Sequence, residues 1–404
     1  MPWLSDKPFY ENFAARTLWS ANYGGADFGE CAEAMQRIGD GDVTAWHHEW
    51  TATADRLVAE AERSAAAGHR VSAREAYLRA ATYYRTGYWP LFGTPVDPRL
   101  AANFEREAAA FAAAAPLWDT PVELVEIPYE DGRTLPGVWL AAAGDGTPRP
   151  TIVHTNGYDS TVCEMYVSHG PAALARGYNL LLFDGPGQGR NLIRDDLKMR
   201  HDWEHVVRPV IDYVLERPDV DADKVVLAGW SFGGFLAPRA AAFEDRIAAL
   251  WADPGQWDQT EAIIPRLPLD DDEKARFPDI DPAKLQPMED YLRSDKADAD
   301  MRWRLIDRGL WVHGKDTMYD LIVELMRYEV SSVAGDIACP ALLTAAEGDP
   351  TSAGAPKLLD AIGSDRKALI RFTAAEGAGG HCEGMARRLF HQRCYDWLDE
   401  TLAA

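Results

Sequence analysis

The sequence predicts an α/β protein, with a mostly parallel central sheet flanked by helices and preceded by an N-terminal helical cap domain. Three observations carry this. Residues up to about 118 place their apolar side chains at helical spacing and show no strand pattern. From about 120 onward, short apolar runs alternate with helical stretches, as a parallel sheet covered on both faces requires. That alternation lapses once, between Pro254 and about Val333, where an acidic, Trp- and Pro-containing segment interrupts the strands. The expected division is 1–118 for the helical cap or lid and 119–404 for the α/β domain, with a lid-like insertion at about 256–333 over the sheet's C-terminal edge.

In the cap, Trp46, Trp50, Ala54, Leu57 and Ala61 fall on one helical face, and Gly68 supplies a stop. Ser72 and Glu75 have the spacing of a capping box for the next helix, along which Tyr77, Ala81, Tyr84 and Tyr88 align. Asp97-Pro98 opens another helix, carrying Leu100, Phe104 and Phe111. Such helix pairs resemble tetratricopeptide repeats, but the period is not sustained over the stacked copies that a repeat array needs. Beyond the cap, Val122–Tyr129 and Thr134–Leu140 flank the Asp131-Gly132 turn as a hairpin. Strands are then expected at Thr151–His154, Asn179–Phe183, Lys224–Ala228, Ala248–Trp251, Ala341–Ala345 and Ala368–Phe372.

The chain has 404 residues and a formal charge of −23, which disfavours nucleic-acid and anionic-membrane partners. Its five cysteines (Cys31, Cys163, Cys339, Cys382 and Cys394) are scattered, without a CxxC pair, as expected in a reducing compartment. The N-terminal stretch lacks the basic and apolar regions of an export signal, and no apolar run approaches the roughly 18–20 residues of a bilayer span. A cytoplasmic location, no membrane association and a small-molecule substrate are the resulting expectations.

The sharpest motif is Gly229-Trp230-Ser231-Phe232-Gly233-Gly234, directly after one expected strand and before a helical run. This is a G-x-S-x-G nucleophile elbow in its strand–turn–helix context, and it specifies the α/β-hydrolase fold. The turn is tight enough that side chains two before and two after the serine would collide with strand and helix. A serine hydroxyl needs a base, and the base an orienting acid, in the chain order Ser, Asp/Glu, His. Asp349 follows the strand Ala341–Ala345, and His381 follows Ala368–Phe372 within Gly379-Gly380-His381. Ser231, Asp349 and His381 are the candidate catalytic residues; Glu347 and Asp253 stay open as alternative acids. His391 and His313 are further histidines near the late elements, and the pair His201 and His205 lacks the remaining signature of a metal site. No metal is expected.

An oxyanion hole needs two convergent amides. Phe232 supplies one, and Tyr158, in Thr155-Asn156-Gly157-Tyr158-Asp159, is the choice for the second. Asp184-Gly185-Pro186-Gly187-Gln188-Gly189 lacks dinucleotide spacing and reads as a support for the elbow. Candidate substrate contacts are Asn156, Gly157, Trp230, Glu164, Trp257 and Tyr84. With Tyr83, Trp89, Trp311 and Tyr319, and fourteen tryptophans in all, they would form an aromatic slot, although core packing is the plainer account of most.

This set of motifs, with Gly68-His69, Ser72-Ala73-Arg74-Glu75-Ala76-Tyr77 and Tyr83-Tyr84-Arg85 in the helices, resembles the α/β-hydrolases. More narrowly, it is similar to the group containing 2,6-dihydroxypseudooxynicotine hydrolase and the fungal hydrolases that shorten the polyketide side chain of naphthopyrone pigments. The likeness runs from about residue 40 to the C-terminus. It implies a Ser–Asp–His triad, a helical cap over the site, a homodimer, no cofactor, and hydrolysis of a carbon–carbon bond beside a ketone. The sequence departs from the group after Gly189, where Arg190-Asn191 stands in place of an acidic or small residue followed by Ser or Thr. An ester, lactone or thioester hydrolase would use the same triad, and a non-catalytic binding module on this shell is the rival of another class.

Overall fold

The computed structural model describes residues 4–120 and 122–403. The first three residues of the N-terminal stretch, and the far ends of the two expected domains, lie outside them. Helices fill the first part of the chain: α1 Pro8–Trp19, α2 Phe28–Ile38, α3 Val43–Ala66, α4 Arg70–Tyr88 and α5 Pro98–Ala114. The expected faces are the buried ones, since Trp46, Trp50, Ala54, Leu57 and Ala61 are all inaccessible. Asp97 caps α5 by accepting from the amide of Arg99 at 2.8 Å, as its sequence proposes.

The capping box at Ser72–Glu75 does not form. Gly68 turns left-handed with φ 79°, the amide of His69 reaches back to Ser64 at 2.8 Å, and α4 is already under way at Arg70. The reversal between α3 and α4 is completed within three residues, so the second helix starts before its best cap.

The sheet has eight strands: β1 Val122–Pro128, β2 Thr134–Leu140, β3 Arg149–Thr155, β4 Asn179–Phe183, β5 Val220–Trp230, β6 Ala249–Asp253, β7 Ala341–Ala346 and β8 Lys367–Phe372. Their order is β1-β2-β4-β3-β5-β6-β7-β8. The hairpin β1–β2 and the pair β2–β4 are antiparallel; all other pairs are parallel. Parallel strands deliver their C-terminal ends to one edge, so the segments after β3, β5, β6, β7 and β8 meet there. α6, Val162–Leu174, covers the sheet after β3.

The insertion carries no strand, only short helices and one isolated bridge, Asp258 to Glu329. Its longest piece runs from Ala299 to His313 through a π-helical stretch, Trp303–Leu310. Among the described residues no helix is long and apolar enough to cross a membrane. The departure at Arg190 has a local account: its guanidinium forks onto Glu126 of β1 and tethers the sheet's edge hairpin.

Candidate active site

β5 ends at Trp230, and the chain turns through Ser231 at φ 57° into the helix Gly233–Ala241. Only side-chain-free residues permit this turn. A Cβ on Gly229 would lie 2.0 Å from the carbonyl oxygen of Gly233, and one on Gly233 would lie 2.5 Å from that of Thr155. The amide of Ser231 donates to the carbonyl of Asp253 at 2.6 Å, and Gln256 Nε2 donates to the carbonyl of Ser231 at 2.5 Å. The elbow is thus pinned to the end of β6.

The segments after β7 and β8 bring two more groups to the hydroxyl. Ser231 Oγ lies 2.8 Å from His381 Nε2, and His381 Nδ1 lies 2.9 Å from Asp349 Oδ2. A carboxylate only accepts, so Nδ1 carries the proton and Nε2 is left to accept from the serine. The second oxygen of Asp349 takes two bonds from Thr351, from its amide at 2.9 Å and its hydroxyl at 2.7 Å. Burial would raise the Asp349 carboxyl, but the bond from His381 and those from Thr351 outweigh it and hold the group below its ordinary range. The side chain of His381 is 40% exposed and that of Asp349 1%, so the imidazole is the face that a reactant meets.

Asp349 is therefore the acid that reaches the imidazole. Glu347 turns outward, its carboxylate accepting from the amide of Ala374 at 2.8 Å. Asp253 is buried, bonded by Thr344 at 2.9 Å and by Arg387 at 3.3 Å. Of the other histidines, His391 is buried beside Arg387 and Tyr23, and His201 and His205 each lie 3.9 Å from Asp202. Among the described residues no group of three or more His, Cys, Asp or Glu is placed to hold a metal ion.

Opposite the serine lies the segment after β3. A Cβ on Gly157 would sit 3.1 Å from that of Ser231, so the backbone there approaches as closely as a glycine permits. Among the described residues, neither the amide of Phe232 nor that of Tyr158 donates to a backbone carbonyl. The stretch Gly185–Gln188 supports this segment rather than the elbow itself. Gln188 Nε2 donates to the carbonyls of Asn156 and Gly157 at 2.8 and 2.9 Å, and Asn156 donates its own amide to Asp184.

The expected substrate contacts divide. Gly157 abuts a half-buried Ser231, and Trp257, itself half-buried, follows Gln256, which bonds the carbonyl of Ser231. The other four are corrected. Asn156 is buried and donates its side-chain amide to Asp184. Trp230 turns its indole inward against His169, with ring centroids 5.2 Å apart, and between Arg16 and Arg387. Glu164 is buried in ion pairs with Arg16 and Arg85, each at 2.7 Å. Tyr84 donates its hydroxyl to Asp55 at 2.6 Å, inside the helical domain. The expected aromatic slot disperses likewise: Tyr83 bonds Glu30, Trp89 is sandwiched by two arginines, Trp311 packs on Phe92, and Tyr319 bonds the carbonyl of Pro278.

A different aromatic group stands beside the serine, and sequence reading missed it. The ring of Phe232 meets Tyr158 edge-on at 4.8 Å, and His313 lies 5.5 Å from Tyr158 and 5.1 Å from Tyr328. Burial pushes the His313 imidazole down to about 3, so it is neutral at physiological pH. Among the described residues, neither of its ring nitrogens nor the Tyr328 hydroxyl, all buried, has a hydrogen-bond partner. His313 and Tyr328 belong to the insertion, which has no local signature to mark them.

Comparisons with known proteins agree with this architecture. The family model "Alpha/beta hydrolase family" matches residues 152–392, and "Esterase FrsA-like" matches residues 37–253. The chain is similar to hydrolase LUC6 of Fusarium sp, 34% identical, covering 96% of this chain and 94% of the relative. It is equally similar to 20-hydroxy-prefusarin hydrolase FUS2 of Gibberella moniliformis, at 34% identity, with 96% and 95% covered. Among solved structures, 2,6-dihydroxy-pseudo-oxynicotine hydrolase shares the fold with a TM-score of 0.74 at 23% identity, over 96% of this chain and 95% of that one.

Proposed function

The chain belongs to the alpha/beta hydrolase family, and from that premise we propose that it is a serine hydrolase that cleaves a carbon–carbon bond beside a ketone, in an aromatic or polyketide substrate. The observation that carries the reading is the unbroken relay from Ser231 Oγ through His381 to Asp349. Ser231 attacks the carbonyl while His381 accepts its proton and Asp349 holds the imidazole. The amides of Phe232 and Tyr158 stabilise the oxyanion. Collapse of the tetrahedral species expels a carbanion, which a second carbonyl or a phenol ring must delocalise. His381 returns the proton to that carbon, and water, deprotonated by His381, then releases the acid from Ser231.

Support for the substrate class comes from the named action of the relative FUS2 on 20-hydroxy-prefusarin and from the aromatic group beside Ser231. An ester, lactone or thioester is the second reading, favoured by the match to the FrsA-like esterase model. Purified protein followed by mass spectrometry on aryl β-diketones and on p-nitrophenyl esters separates the two. Diketone cleavage to acid plus ketone, lost in Ser231→Ala, is the expected result. Ester turnover with the diketones intact would transfer the assignment to the second reading. Ser231→Ala, His381→Ala and Asp349→Asn are each expected to lower kcat on the order of a thousand-fold or more.

A further inference from the structure

Asp159 directly follows Tyr158, and three arginines from three covering elements converge on it. Its Oδ1 accepts from Arg16 of α1 at 2.8 Å, and its Oδ2 accepts from Arg308 of the insertion at 2.7 Å. Its carbonyl accepts from Arg85 of α4 at 2.9 Å.

Each arginine is itself fixed. Arg16 forks onto both oxygens of Glu164 at 2.7 Å. Arg16 and Arg85 lie over Trp89, 4.0 and 3.8 Å from its ring centroid. Arg308 lies 4.5 Å from the ring centroid of Tyr158 and 4.7 Å from that of Trp303. From the other side, Gln188 holds the carbonyls of Asn156 and Gly157. The six-residue segment between β3 and α6 is thus gripped by the α/β domain from one side and by both covers from the other.

A buried carboxylate with a planar guanidinium donating to each of its oxygens has little freedom of position. The segment it anchors carries the backbone that lies against Ser231. Oxyanion stabilisation depends on donors fixed before reaction, and displacements of about 1 Å are costly.

Resting on the serine-hydrolase reading above, we infer that Asp159 is a positioning residue: clamped by Arg16 and Arg308, it sets the Tyr158 amide, so that the oxyanion hole is complete only when the helical domain and the insertion are both docked. Asp159 itself touches neither the serine nor the histidine. The inference predicts losses in kcat rather than KM, because the Tyr158 donor acts on charge that develops in the transition state.

The test measures kcat and KM on a p-nitrophenyl ester and the rate at which a fluorophosphonate labels Ser231. The proteins compared are wild type, Ser231→Ala, Asp159→Asn, Arg308→Gln and Arg308→Lys. Asp159→Asn and Arg308→Gln are expected to lose about a hundred-fold in kcat and in labelling rate, with KM within about threefold. Arg308→Lys, which keeps the charge but not the planar guanidinium, should recover part of that loss. The double variant Asp159→Asn/Arg308→Gln should be no worse than the poorer single one. Melting curves identify any variant that fails to fold, and the Arg308 pair carries the test if Asp159→Asn does. Wild-type labelling rates in folded Asp159→Asn or Arg308→Gln, or a loss confined to KM, would overturn the inference while Ser231→Ala stays unlabelled and the hydrolase reading stands. A wild-type protein that is not labelled would overturn both.

Discussion

Ser231 holds φ 57°, a conformation that costs a non-glycine residue about 1–3 kcal/mol and is retained through its tethers to Asp253 and Gln256. The surrounding glycines leave no space for a methyl. Gly229→Ala is expected to destabilise the protein by about 3 kcal/mol and to abolish fluorophosphonate labelling, read from melting curves and labelled bands. Glu383, two residues after His381, is the opposite case, a buried carboxyl set against the carboxyl of Asp253. Burial first, and the neighbouring Asp253 second, push it far above its ordinary range, and Arg387 offsets only part of this. In the unfolded chain it ionises near about 4.3. The folded state keeps a proton that the unfolded chain releases, so stability falls as pH rises from about 4.3 through neutrality. Glu383→Gln should raise the melting temperature at pH 7, with the gain vanishing toward pH 4. No change at pH 7 would mean that the carboxyl is ionised in the fold.

At the scale of elements, α1 is the piece that the sequence left least described and the structure makes most use of. Its Arg16 reaches Asp159 and Glu164, and Trp19 packs where a Cβ on Gly384 would be, against the segment that carries His381. One helix therefore touches both the segment after β3 and the segment that carries His381. Glu164 holds Arg16 and Arg85 together. Glu164→Gln would leave the buried Arg85 and the half-buried Arg16 under-compensated, and a loss of about 3 kcal/mol is expected in denaturant melts. A loss below about 1 kcal/mol would mean that water, not Glu164, satisfies the arginines. The strands, by contrast, were legible almost to the residue. Thr134–Leu140 and Asn179–Phe183 have their expected bounds, and the others differ by a few residues at their ends, because short apolar runs between turns need no partner to be recognised.

For the whole molecule, acid is the expected solvent weakness. Burial would raise the Asp159 carboxyl, but Arg16, Arg308 and Arg85 outweigh it and hold it well below the usual range; Asp349 is lowered by His381 and Thr351. Depressed carboxylates stabilise the fold above about pH 4, and that contribution is lost as pH falls through their folded values. Denaturation midpoints should therefore drop between pH 5 and pH 3, less steeply in Asp159→Asn; equal slopes would remove the clamp from the acid response. The sequence by itself determined the class of fold and the strand–turn–helix setting of Ser231, and it offered Asp349 and His381 after later strands, because strand periodicity, tight-turn glycines and chain order are local or sequential properties. Only the tertiary structure decided that Asp349 rather than Glu347 or Asp253 reaches His381, that Trp230, Tyr84, Asn156 and Glu164 face inward, and that His313 and Tyr328 stand near the serine. It alone joined Arg16 and Arg308 to Asp159, which they approach from 143 residues before and 149 after. A side chain's partner across such distances is fixed by how layers pack, and packing leaves no periodic trace along the chain.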